Sequence, residues 1–143
     1  MAGNTPKARP KLESPKVLLL EPSAIFVQTL KKMIQARLPH VAVTHTNSPE
    51  QADAYIETES PDVVFLDISI FPKHGIHYIK ALKHRQPQLK VVVLTTHDSD
   101  EHKTAALEEG ADCFISKNYA DGSHLVDFLQ AALQQRGGQS GQF

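Results

Sequence analysis

Apolar residues in this chain come in five short runs, each followed by a stretch where they recur every three or four positions. Three of the runs, Val17-Leu18-Leu19-Leu20, Val63-Val64-Phe65-Leu66 and Val91-Val92-Val93-Leu94, lack the alternation of a strand with one wet face. Such runs fit central strands of a parallel sheet covered on both sides. Val41 to Thr46 and Asp112 to Ser116 read as the second and fifth strands, and Leu89 opens the fourth. The intervening stretches have helical period. The first starts at Ser23, a good N-cap, carries Phe26, Val27, Leu30, Met33 and Ile34 on one face, and ends near Leu38, ahead of Pro39. The second has Ser48 as N-cap, Pro49 at the first helical position, Gln51 completing a capping box, and Ala52, Tyr55 and Ile56 facing inward. The third begins at about Gly75, carries Ile76, Ile79 and Leu82, and stops before Pro87. The fourth runs from about Ser99 to Glu109, with only Ala105, Ala106 and Leu107 as apolar surface, and Gly110 at its C′ position. The last shows Leu125, Phe128, Leu129, Ala132 and Leu133.

Five strand–helix alternations imply a doubly wound α/β fold, a parallel sheet with helices on both faces and right-handed crossovers. At 143 residues the chain fits one domain, and 41% hydrophobic residues can fill its core. Residues 1–15, with Pro6, Pro10 and Pro15, read as a disordered leader or a basic docking arm; residues 16–135 form the domain; the Gly-rich residues 136–143 read as a flexible tail or a truncated linker. A net charge of -1 gives no bias toward nucleic acid or membrane, and no apolar run is long enough to span a bilayer. The leader lacks the apolar stretch of a secretory signal. The single cysteine, Cys113, excludes an internal disulfide, suits a reducing compartment, and reads as a small packing residue. The eight histidines are scattered, without the spacing of a metal motif. Neither a Gly-rich phosphate loop nor a nucleophile elbow occurs, so an autonomous enzyme is not expected.

The chemistry sits at the strand ends. Glu21 follows the first strand, Asp67 the third, Thr95 the fourth and Lys117 the fifth. In a doubly wound sheet these ends share one edge, where such folds bind ligands. Taken singly, each has a plainer reading: a capped loop junction at Asp67, a solvated end at Glu21, a β-former at Thr95, a surface charge at Lys117. Together they suit phosphoryl chemistry. A carboxylate can accept a phosphoryl group as an acyl phosphate, carboxylates suit Mg²⁺, and an ammonium and a hydroxyl can hold the phosphoryl oxygens.

Over about residues 16–135 the chain resembles the receiver domains of two-component response regulators. The resemblance rests on Val17-Leu18-Leu19-Leu20-Glu21, Pro61-Asp62-Val63-Val64-Phe65-Leu66-Asp67, Val91-Val92-Val93-Leu94-Thr95 and Gly110-Ala111-Asp112-Cys113-Phe114-Ile115-Ser116-Lys117. It implies a flavodoxin-like (βα)5 sandwich with strand order 2-1-3-4-5. It implies Asp67 as phosphoacceptor; Glu21, Asp67 and the backbone of Ser69 as Mg²⁺ ligands; Thr95 and Lys117 as the groups that bind the phosphoryl; Phe114 as the aromatic that turns on activation; and Ser69 and His97 as residues that tune phosphoryl lifetime. The implied partners are a sensor histidine kinase or phosphotransfer protein, a downstream protein on the helix 4–strand 5–helix 5 face, and a second copy in a homodimer. The implied setting is the cytoplasm, with no nucleic-acid contact from this chain.

Three positions depart from the pattern. Pro22 stands where the family has a second acidic residue that ligates the metal, which weakens the expected Mg²⁺ site. Pro72 comes one residue late in the loop after Asp67, and Asn118 replaces the proline usual after the lysine. Pro22 also sustains an alternative: a degenerate receiver acting by protein–protein contact without phosphorylation.

Overall fold

A computed structural model describes residues 14–71, 75–118 and 122–141, with backbone only for 136–141. The strands are β1 (Lys16–Leu20), β2 (Ala42–Thr46), β3 (Val63–Asp67), β4 (Lys90–Thr95) and β5 (Cys113–Ser116). The helices are α1 (Ala24–Arg37), α2 (Pro49–Glu59), α3 (Gly75–Arg85), α4 (Asp100–Glu108) and α5 (Ser123–Gly141), with a 3₁₀ turn at Ile68–Ile70. The strands form one parallel sheet in the order β2-β1-β3-β4-β5, as expected from the sequence.

Successive side chains on a strand point to opposite faces. Hence each apolar run supplies two cores. Val17, Leu19, Val63, Phe65, Val92 and Leu94 face α1 and α5, where they meet Leu30, Ile34, Leu125 and Leu129. Leu18, Leu20, Val64, Leu66, Val91 and Val93 face the other way and meet Ala52 and Ile56 of α2, Ile79 and Leu82 of α3, and Ala106 of α4. The three central runs show no polar alternation because neither face is wet.

The helix starts are locally encoded. The Ser23 hydroxyl accepts the Phe26 N–H and that of Ser48 accepts the Gln51 N–H. The capping box at Ser48 closes differently from expectation. Gln51 takes a hydrogen bond from the Thr46 hydroxyl, and the Ser48 N–H goes to Thr46 Oγ1 instead. Thr46, at the end of β2, is close enough to supply the acceptor that Gln51 would have offered. Gly110 ends α4 at φ 113°, a conformation that favours glycine. α5 continues to Gly141, across the stretch expected to be a tail. A helix nucleated by a docked stripe extends at one hydrogen bond per added residue. Pro72 and residues 1–13 lie outside the described residues. Among the described residues no helix is long and apolar enough to cross a membrane.

The start of α3 packs against the turn that follows β3. A Cβ at Gly75 would lie 2.8 Å from the carbonyl oxygen of Ile68, a backbone atom that cannot swing aside. Gly75→Ala is expected to destabilise by about 1–3 kcal/mol, the usual cost of overpacking. The check is a lower urea midpoint at unchanged slope.

Candidate functional site

Strand parity brings three of the four expected residues together. Glu21 continues the Val17-Leu19 series and Asp67 continues Val63-Phe65, so both belong to the α1/α5 side. Lys117 follows Cys113 and Ile115 of β5, which pack against that same core. Its ammonium lies 2.5 Å from Asp67 Oδ2 and 2.8 Å from Glu21. Glu21 is only 2% exposed and Asp67 4% exposed, so these are buried charges that need a counter-ion.

The remaining contacts orient the carboxylates. Asp67 Oδ1 accepts the Ser69 N–H at 2.8 Å, which follows from the 3₁₀ turn capped by Asp67 itself. Glu21 Oε2 accepts the Ser23 N–H at 2.9 Å and a hydrogen bond from Lys117 Nζ at 2.8 Å. Glu21 Oε1 is also 2.8 Å from that nitrogen, but it is buried without any hydrogen bond. Its contact with the ammonium has the distance of an ion pair and not the direction of a hydrogen bond. A buried carboxylate oxygen of this kind, beside a second carboxylate, fits a hard divalent cation. The fit is lean: no group of three or more His, Cys, Asp or Glu that could hold a metal occurs among the described residues. Pro22 is exposed and brings no carboxylate.

Thr95, His97 and Phe114 lie beside this knot, not within it. Thr95 and Phe114 have the opposite parity, that of Val91 and Val93, and Phe114 packs half-buried against the α2–α4 core. Thr95 is fully buried, and its hydroxyl accepts the His97 N–H at 3.0 Å. His97 is exposed, with its ring 5.8 Å from that of His102. Ser69 is also exposed. Cys113 is a free, half-buried thiol whose pKa burial pushes up, in keeping with a packing role.

Two contacts escape a reading by motif. Lys117 Nζ sits over the ring of Phe26, 4.6 Å from its centroid, so a residue legible only as part of the α1 stripe also seats the site's cation. Asn118 ties its loop to the one after β4 through Thr96 and Asp98. Its sole sequence signal is that it stands where proline is usual.

A family model for the response regulator receiver domain matches residues 17–130. The transcriptional regulatory protein CpxR of Escherichia coli (strain K12) is 31% identical over 120 residues, covering 84% of this chain and 50% of that protein. The chain spans about half the length of the curated relatives it matches. Among solved structures, the signal receiver domain of a DNA-binding response regulator from Colwellia psychrerythraea 34H aligns with a TM-score of 0.78 at 20% identity, covering 85% of this chain and 99% of that one. A response regulator from Burkholderia pseudomallei, crystallised with a phosphorylated aspartic acid, calcium ion and citrate, aligns at 0.69 with 24% identity, covering 89% of this chain and 71% of that one. A match running from β1 into α5, on a sheet of the same order, makes the chain a member of the response regulator receiver domains, the signalling modules of two-component systems.

Proposed function

We propose that this receiver accepts a phosphoryl group on Asp67 from a phosphohistidine of a sensor kinase or phosphotransfer protein, and that the modification switches its contacts with a downstream protein. The observation that carries this reading is the buried pair Glu21–Asp67 gathered around one ammonium. In the transfer an Asp67 oxygen bonds to phosphorus as the donor's P–N bond breaks, the electron pair leaving with the donor nitrogen. Lys117 already touches Asp67, so it is in place to hold a phosphoryl oxygen. The Ser69 N–H fixes the other Asp67 oxygen. Thr95 supplies a hydroxyl on the neighbouring strand, and Ser69 and His97 border the loop edge where water would reach the acyl phosphate. Glu21, Asp67 and the Ser69 backbone would hold Mg²⁺, which would neutralise charge on the phosphoryl oxygens. The acyl phosphate, with two negative charges where the Asp67 carboxylate carried one, and with added acceptor oxygens, would draw Thr95 and Lys117, turn Phe114, and alter the α4–β5–α5 face, in the cytoplasm and with a second copy as one candidate partner.

A second reading rests on Pro22. With two carboxylates where three are usual, the domain would act unphosphorylated, by protein contact alone.

Intact mass separates the two. With a small-molecule phosphodonor and millimolar Mg²⁺, the first reading expects a gain of one phosphoryl group in the wild type and none in Asp67→Asn. Pro22→Asp, which restores a third carboxylate, is expected to gain it at lower Mg²⁺. No gain in wild type and a gain in Pro22→Asp would establish the second reading.

A further inference from the structure

We infer that Asp98, Ser116 and Asn118 form a latch that holds the β4–α4 loop against the end of β5 and keeps the Thr95 hydroxyl engaged within its own loop. Ser116 Oγ donates to Asp98 Oδ2 at 2.7 Å. Asn118 Nδ2 donates to the same oxygen at 3.0 Å and to the Thr96 carbonyl at 3.0 Å. Only the amide NH₂ end can serve two acceptors, so the orientation of the Asn118 side chain is fixed by its partners. The Asn118 N–H donates to Ser116 Oγ at 3.1 Å, which closes the circuit. The backbone adds a fifth tie, from the Lys117 N–H to the Thr95 carbonyl at 2.9 Å.

The parity of β5 explains how the latch reaches its loop. Ser116 shares the side of Phe114, while Lys117 next to it belongs to the side of Asp67. One strand end thus serves two ends of the site: its ammonium holds the acidic pair, and the residues on either side of it hold the loop that carries Thr95 and His97. Proline at position 118 could donate neither of the two side-chain hydrogen bonds nor the backbone one. The Asp98 carboxyl is held below its ordinary range, first by the hydrogen bond from Asn118 and then by that from Ser116, so it stays an ionised acceptor at neutral pH.

The consequence for switching rests on the reading of Thr95 as the hydroxyl that turns to a phosphoryl group. In this structure that hydroxyl accepts the His97 N–H. To reach Asp67 it must leave that donor, which the latch holds in place. The latch opposes this motion and favours the resting arrangement.

The test is amide hydrogen exchange by NMR on the full chain without phosphodonor, comparing wild type with Asn118→Ala and Asp98→Ala. Both variants are expected to exchange the His97 amide about three- to tenfold faster, the scale of one lost hydrogen bond. The amides of Leu19 and Phe65 should keep wild-type rates, which shows that the sheet is intact. An unchanged His97 rate in both variants, or an equal rise at all three sites, overturns the latch. Because no donor is present, failure of phosphorylation at Asp67 leaves this result standing, and failure of the latch leaves that reading standing.

Discussion

Lys117→Met is expected to lower the unfolding free energy by about 3–5 kcal/mol, the cost of removing one member of a buried ion pair. The magnitude follows from what is left behind. Glu21 and Asp67 are both buried, and Lys117 is the cation that touches both. Methionine preserves much of the aliphatic stem beside Phe26, so the loss reports the charge and not a cavity. The remaining donors, the N–H groups of Ser23 and Ser69, supply dipoles but no positive charge. Like charges then face each other in a partly desolvated site. Millimolar Mg²⁺ should restore part of the lost stability and should stabilise the variant more than the wild type, because binding to the folded state alone shifts the unfolding midpoint. Urea titrations of both proteins, with and without Mg²⁺, give the answer. A loss under about 1 kcal/mol would show that solvent screens the acidic pair. Equal Mg²⁺ effects in the two proteins would show that the ammonium and the metal do not compete for it.

Phe65→Ala is expected to cost about 3–5 kcal/mol, the range for truncating a large buried aromatic. Phe65 is 1% exposed at the centre of the sheet, paired in register with Leu19 on one side and Val92 on the other. Its ring packs into the core beneath α1 and α5, two residues before Asp67 on the same side of β3. The cavity would thus open under the site. Ile25→Ala is the comparison: at 79% exposure the same kind of truncation should change stability by less than about 0.5 kcal/mol. Denaturant midpoints decide it. A small effect at Phe65 would mean that α1 and α5 can close over the gap.

The burial of the central strands and the placement of Glu21, Asp67 and Lys117 at strand ends were legible in the chain, because each rests on local pattern; the order of the sheet was implied by the resemblance to receiver domains. An unbroken apolar run has no wet face, and a period of two assigns alternate residues to opposite cores. Once the register of the strands sets Val17, Val63 and Cys113 on one side of the sheet, that same period carries all three charges there. The family pattern pointed to the same residues by resemblance. Helix starts were legible for a similar reason: the Ser23 and Ser48 caps act on amides only three residues away.

Contacts between residues far apart in sequence were decided by the tertiary structure. Phe26 is one apolar position among five in the α1 stripe, and only the docking of α1 beside β5 puts its ring under an ammonium 91 residues further on. Gln51 had the right spacing for a capping box, yet the end of β2 supplied Thr46 as a competing partner. Asn118 reads in the chain as a missing proline; in the fold it becomes a double donor because Thr96 and Asp98 arrive from the neighbouring strand's loop. Pattern along a chain fixes which side a residue faces. The partner it meets there is set by where a distant segment comes to rest, and hydrogen bonds and cation–π contacts depend on that position to within a fraction of an ångström.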